Sequence, residues 1–407
     1  MGWEAEEATY QTLSHQTGSR IVFLVFDGLG DVPGAEGLTP LEAAAKPNLD
    51  QLVAEGACGL FYPVAPAITP GSGPGHLGLF GYDPLRHLVG RGVLSALGID
   101  FPLRESDVAA RFNYCTLGGD GRVIDRRAGR IPTRLNEQLT ELLARELDPG
   151  EPDVELFLRP VSEHRGLLVL RGNGLGARVE DTDPQETGVL PLDPRVEDAP
   201  SQRTASVVGR LVEQARKVLS NQEKANGLLF RGFDRRPDIM SLSDRFALRP
   251  VCIAQYPMYR GLARLVGMEV APAPSDLESF PAALGEVWEN HDFFFCHVKY
   301  TDKAGEDGDF SRKRQVIEEV DRLIPALLNL GPEVIVVSAD HSTPVPMAAH
   351  SWHPVPTLLW APQTVRRDAV SEFGERSCAG GGLGRLNLRY LLPLALAHAG
   401  KLKKFGA

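Results

Sequence analysis

The sequence predicts a doubly wound α/β domain on a mostly parallel sheet, with a smaller α+β domain inserted into it. Three observations carry that expectation. Continuous apolar runs of strand length recur along the chain, segments of helical periodicity separate them, and the stretch 106–234 changes to shorter alternating strands with two helices. At 407 residues the chain also exceeds one comfortable core. The expected division is 1–105 with 235–407 for the larger domain, and 106–234 for the insert.

The apolar runs are IVFLVF (Ile21–Phe26), FFFCHV (Phe293–Val298) and VIVVSA (334–339), with PVCIAQ (250–255) as a fourth. Between them, KPNLDQLVAEG opens with Pro47 where a first helical residue belongs and closes on Gly56. SRKRQVIEEVDRLIPALLNLG sets Val316, Ile317, Val320, Ile324 and Leu327 on one helical face, with a kink expected at Pro325. In the insert, AARFNYCTL and GLLVLRG read as half-buried strands and 136–146 and 204–219 as helices. The Pro/Asp-rich link EDTDPQETGVLPLDPRVEDAPS reads as irregular.

A net charge of -10 argues against a nucleic-acid or anionic-membrane partner. No apolar run is long enough to span a bilayer, and the polar N-terminal segment lacks the pattern of a secretory signal. The five cysteines are odd in number and have no C-x-x-C spacing, which suits reduced core residues in a cytoplasmic protein. The sequence sets no oligomeric state.

Each long apolar strand stops at charged residues: Asp27 in FDGLGD, Asp302 and Glu306 in KYTDKAGEDGD, Asp340 and His341 in ADH. In a parallel sheet these ends share one edge, where open α/β sheets bind ligands. One aspartate there is ordinary turn or cap chemistry, and Asp307, Gly308 and Asp309 read that way. Several carboxylates converging on one edge need cations, and Asp with His suits Mn²⁺, Mg²⁺ or Zn²⁺. Ser72 in TPGSGPGHLGLFGYDP is a candidate nucleophile, flanked by glycines and followed by a helix expected to start near His76. An α/β-hydrolase elbow is excluded because Pro70 stands where that motif needs glycine.

The segments VFDGLGD, TPLEAAAKPNLDQLVAEGACGLFYPV, GHLGLFGYDP, GRGVLSALG, DRRAGRI, ADHSTP and HSWHPVP occur in an order that resembles the archaeal-type cofactor-independent phosphoglycerate mutases of the alkaline phosphatase superfamily. The likeness covers nearly the whole chain after residue 20. It implies a sheet of alkaline-phosphatase type, two divalent ions, phosphoglycerate as substrate, and a serine that carries phosphate between two hydroxyls of glycerate. Carried over, it implies one metal at Asp27, Ser72, Asp340 and His341, and another at Asp302, Glu306 and His350. Glu306 stands where the family usually has His, which favours the harder ions Mn²⁺ or Mg²⁺ over Zn²⁺. Gly73 replaces a common Asp, Ser95 a usual Glu, and Arg260 an expected Lys. An anionic substrate calls for cations, and Arg126, Arg127, Arg130, Arg231 and Arg260 are the candidates. The rival expectations are a phosphatase or phosphonate-cleaving relative, and a metal-depleted binding protein.

Overall fold

The computed structural model describes residues 3–196 and 198–406. Among them the strands run, in chain order, β1 (Ile21–Phe26), β2 (Ala57–Tyr62), β3 (Val108–Leu117), β4 (Val123–Asp125), β5 (Glu155–Ser162), β6 (Arg165–Arg171), β7 (Gly227–Asp234), β8 (Pro250–Ala254), β9 (Glu269–Val270), β10 (Phe293–Val298), β11 (Val334–Ser338), β12 (Val355–Trp360) and β13 (Gly384–Asn387). The chain divides into two compact units. One comprises the chain up to Leu88 and from Ile239 onward, and the other is Val89–Asp238.

The first unit holds an eight-stranded sheet in the order β13-β2-β12-β11-β1-β10-β8-β9. Neighbours are parallel except at β12, which runs against both β11 and β2. Every residue of β1, β8, β10 and β11 is buried. Both faces of these strands are covered, which is why they read as unbroken apolar runs. The four expected strands are therefore neighbours in one sheet, with β1 between β10 and β11 and all their carboxyl ends on one edge. Strands β8 and β11 stop at Ala254 and Ser338, one residue short of the expected limits.

The helix Pro47–Glu55 begins on its proline and stops at Gly56. The expected kinked helix is instead two helices, Phe310–Asp321 and Ile324–Leu328, with Pro325 in the first turn of the second. Proline lacks the N–H that an unbroken helix needs, whereas in a first turn that N–H has no intrahelical partner anyway. The apolar face survives the break, since Val316, Ile317, Val320, Ile324 and Leu327 are all buried.

The second unit is an antiparallel sheet in the order β4-β3-β6-β5, with β7 also paired to β3. Alternate residues of β3 (Val108, Ala110, Phe112, Tyr114) share a core with Leu139 and Leu143 of the helix Thr133–Glu146 and with Val207, Val208 and Leu211 of the helix Ala199–Val218. Both helices start before the expected residues. The second gains its turn because Asp198 Oδ1 accepts from the Ser201 N–H at 2.9 Å, capping a start that accommodates Pro200. The unit begins at Val89, not at 106, because the helix Arg91–Gly98 packs on β3 and β7. The link over 180–201 is largely irregular, as expected, and its Glu197 lies outside the described residues. All five cysteines are buried and free. Among the described residues, no helix is long and apolar enough to cross a membrane.

Candidate active site

Three chain segments leave the carboxyl edge of the first unit's sheet and converge. Asp27 follows β1 directly, the helix Tyr300–Glu306 after β10 carries Asp302 in its first turn, and Asp340 and His341 lie just beyond β11. Gly28, at φ +63°, permits the approach, since a Cβ there would fall 2.9 Å from Asp302 Oδ1. His341 Nε2 lies 3.2 Å from Asp27 Oδ1 and 3.2 Å from Asp340 Oδ2. Thr343 Oγ1 donates to Asp302 Oδ1 at 2.6 Å and sits 3.0 Å from His341 Nδ1. The His350 ring stacks on His341 with centroids 3.6 Å apart, and its Nε2 is 3.6 Å from Asp302 Oδ1.

With neutral imidazoles, hydrogen bonding here leaves lone pairs facing lone pairs. Because the Thr343 hydroxyl donates to Asp302, it can only accept from His341 Nδ1–H, so in the neutral ring His341 Nε2 would present a lone pair to two carboxylates. In the same way His350 Nδ1 donates to the Pro70 carbonyl at 3.0 Å, and its Nε2 faces Asp302. Asp27 Oδ1 and Asp340 Oδ2 are buried and accept no hydrogen bond. The electrostatics agree. Burial alone would lower the pKa of His341, yet Asp340, Asp27 and Asp302 raise it to about 9, so with no other cation between them the ring itself takes up a proton on Nε2. Burial likewise opposes ionising Asp27, yet Lys299, His297 and His341 hold its carboxyl well below the usual range. The cluster draws positive charge. Among the described residues two groups could hold a metal ion, Asp27 with Asp340 and His341, and Asp302 with His341 and His350, each with its donor atoms within 4.8 Å of one another. Oxygen and nitrogen donors in this mix fit a divalent ion.

Ser72 opens the helix Ser72–Leu79, which starts at the serine itself instead of near His76. Its Oγ lies 3.4 Å from His341 Nε2. Gly75 allows this helix to lie against the β11 loop, because a Cβ there would fall 2.8 Å from the Asp340 carbonyl carbon. As first-turn donors, the N–H groups of Ser72 and Gly73 have no partner within the helix and suit an anion beside the hydroxyl.

Sequence reasoning missed four further side chains. Lys299 Nζ is 3.0 Å from Asp27 Oδ2 and also pairs with Asp302 Oδ2. Tyr259, fully buried, donates its hydroxyl to Asp27 Oδ2. His297 and His76 flank the Tyr259 ring at centroid distances of 3.9 and 4.6 Å. His76 Nδ1 is 2.8 Å from the Ser72 carbonyl oxygen and 3.1 Å from Asp340 Oδ2.

A family model for 2,3-bisphosphoglycerate-independent phosphoglycerate mutase matches residues 54–225. A Thermus thermophilus protein named "Probable 2,3-bisphosphoglycerate-independent phosphoglycerate mutase" is 51% identical over 399 residues, which cover 97% of this chain and 98% of that one. The chain belongs to this family. A Thermotoga maritima relative of the same name is 48% identical over 390 residues, 96% of each chain. The solved cofactor-independent phosphoglycerate mutase from Thermoplasma acidophilum matches at TM-score 0.71 and 32% identity, over 94% of this chain and 100% of that one. The PH0037 protein from Pyrococcus horikoshii matches at TM-score 0.83 and 29% identity, over 96% and 99%.

Set against the ligand sets implied by likeness to this mutase family, Asp27, Ser72, Asp302, Asp340, His341 and His350 come together in the first unit. Glu306 does not join them. It ends its helix with an exposed side chain and lies outside both candidate groups. The preference for hard ions that rested on Glu306 loses its basis, since His341 and His350 make the second group rich in nitrogen. Arg260 donates to the Ala254 and Ala271 carbonyls at 3.2 and 2.9 Å, tying down the end of β8, while its neighbour Tyr259 reaches the site.

In the second unit the expected arginines separate into two kinds. Arg126 forks onto Asp183 at 2.8 and 2.7 Å, and Arg231 bonds Asp181 at 3.2 Å and Gln185 at 3.1 Å. Both fasten the irregular link. Arg127 and Arg130 are exposed. Their loop is held by Asp125, which accepts from the Arg127 and Gly129 N–H groups, and Ala128, Gly129 and Arg130 all take positive φ. Arg111 and Arg165, which the sequence did not single out, complete a cationic group around buried His164. Burial first, then Arg165, Arg127, Arg111 and Arg130, press the pKa of His164 down to about 3.

Proposed function

We propose that the chain interconverts 3-phosphoglycerate and 2-phosphoglycerate through a phosphoserine at Ser72, with two divalent ions held by the two carboxylate–histidine groups. The observation that carries this reading is the Ser72 hydroxyl at a helix start, 3.4 Å from the imidazole shared by both groups. Bound there, divalent ions would neutralise the carboxylates, favour loss of the Ser72 proton and offset charge on the transferring phosphoryl group.

Ser72 Oγ forms its bond to phosphorus as the ester bond to the glycerate oxygen breaks, and the proton lost from Ser72 ends on that released oxygen. The free N–H groups of the helix start hold the phosphoryl oxygens. The freed glycerate reorients, its other hydroxyl attacks phosphoserine, and Ser72 is regenerated. Tyr259 orients Asp27 through its hydroxyl, and His76, whose Nδ1 is held by the Ser72 carbonyl, packs beside Asp340. Arg127, Arg130, Arg111 and Arg165 are the cations proposed to bind the substrate's anionic groups.

The test supplies 3-phosphoglycerate and Mn²⁺ and follows 2-phosphoglycerate and free phosphate together. The expected outcome is 2-phosphoglycerate with little phosphate, and steady phosphate release alone would assign a phosphatase. Ser72→Ala should abolish turnover and the phosphoserine peptide in mass spectra, with the unfolding temperature unchanged. Retention of more than about 1% of activity would refute the covalent step.

A further inference from the structure

We infer that Lys299 is a built-in counter-cation of the ligand set, holding Asp27 and Asp302 together while divalent ions are absent and giving way when they bind. The inference rests on the metal reading proposed above. Lys299 directly follows β10 and precedes Asp302 by three positions, so both side chains project from the start of one helix. Its ammonium pairs with Asp27 Oδ2 at 3.0 Å and with Asp302 Oδ2, one carboxylate from each candidate group, and lies 3.2 Å from the Tyr259 hydroxyl. Those contacts use the three donors an ammonium has. Both carboxylates are buried, and without a shared cation they would repel each other across two strands.

A divalent ion among the same oxygens would sit beside this ammonium, and the two positive charges would repel strongly in so dry a site. Lys299 has a way out, because its side chain is 24% exposed at the end of a flexible stem. The contrast is Lys313, whose side chain is 0% exposed. Its Nζ donates to Asp31 at 2.8 Å and to the Thr343 carbonyl at 2.9 Å, a fixed tie between loops. Metal loading is therefore an exchange of one cation for another.

The test compares wild type with Lys299→Met, both stripped of metal, by thermal unfolding and by Mn²⁺ titration calorimetry without substrate. Lys299→Met should lower the metal-free unfolding temperature by about 5 °C or more, as two buried carboxylates lose their common partner. It should also bind Mn²⁺ about tenfold tighter or better, because no ammonium has to leave. A second readout needs no variant. In wild type, acylation of Lys299 by an N-hydroxysuccinimide ester, mapped by peptide mass spectrometry, should be slow without metal and rise with Mn²⁺. Wild type that binds Mn²⁺ while Lys299→Met binds it equally or more weakly, or Lys299 protection that Mn²⁺ leaves unaltered, overturns this inference alone. Absence of Mn²⁺ binding by either protein refutes the metal reading and the exchange with it.

Discussion

Gly75→Ala adds one methyl group between the helix that carries Ser72 and the loop that carries Asp340 and His341. The new Cβ would lie 2.8 Å from the Asp340 carbonyl carbon and 3.1 Å from its Cβ, where ordinary contact is 3.4–4 Å. The Asp340 carbonyl oxygen would be nearer still, so relief requires the helix and the loop to part by more than about 1 Å, against a close-packed surrounding. Helix propensity alone favours alanine by about 1 kcal/mol. Overpacking costs about 1–3 kcal/mol in the other direction, so a net loss of stability reports the clash directly. The larger effect falls on rate, because the same displacement moves Ser72 off His341, and a misplacement of about 1 Å can cost on the order of 10²-fold. Gly71→Ala, at the N-cap of this helix, is the control, since its Cβ would meet only Pro74 Cδ at 3.9 Å. Initial rates and unfolding temperatures of the two variants decide the matter. A Gly75→Ala protein that matches Gly71→Ala within about twofold in kcat would refute this account of how the glycine positions the nucleophile.

Glu306→Ala should leave the stoichiometry and affinity of Mn²⁺ in calorimetric titration unchanged, because the side chain is exposed and outside both groups; loss of one bound ion would show that it ligates. Arg127→Ala and Arg130→Ala should raise KM about tenfold with an unchanged urea midpoint. Arg126→Ala should instead cost about 2 kcal/mol of stability by stripping buried Asp183 of its fork; equal behaviour of all three would undo the division into binding and structural arginines. His164 is held neutral in the folded state, its pKa lowered from 6.5 to about 3, whereas the unfolded chain takes up that proton near pH 6.5. The stability this supplies is whole above pH 6.5 and is lost as pH falls toward 3, so the urea midpoint of wild type should drop more than that of His164→Gln between about pH 7.5 and pH 5. Parallel declines in the two proteins would contradict the assignment.

The strands that build the site were legible because burial on both faces writes itself as an apolar run, and Asp27, Asp340 and His341 stand just past such runs. Asp302 was legible for the same reason, close behind β10. Tyr259 was not. It and Arg260 are consecutive on one helix, about 100° apart around its axis, and only the packed structure tells which of them faces Asp27. A charge drew attention to the wrong neighbour. His297 was hidden inside FFFCHV, where one polar ring among apolar residues gives no sign of its partners. Lys299 is a residue type that normally reads as solvated surface. In the second unit, Arg111 and Arg165 are distant in sequence and meet only through the register of β3 with β6, which sets Asn113 opposite Arg165. Glu306 falls outside both groups for the opposite reason, since its place in the charged cluster past the strand and in the family pattern set it one helical turn from Asp302 without fixing where its carboxylate points.

The reversed direction of β12 decides how one residue reaches the cluster. A strand parallel to its neighbours offers the edge only the residues that leave it, and returning to that edge would take a crossover of a dozen residues or more. Because β12 runs antiparallel to β11, the residues that enter it lie on the same edge as those that leave β11. The connection from Ala339 to Pro354 is thus a loop with both feet set in adjacent strands. Asp340 and His341 stand at its first foot, and His350 hangs on its return limb. The reach of His350 is set by that span of loop, pinned where Ser351 N–H donates to the Ser342 carbonyl at 2.9 Å, and not by the strands themselves. Its length could drift over evolution at little entropic expense while every strand register stayed fixed.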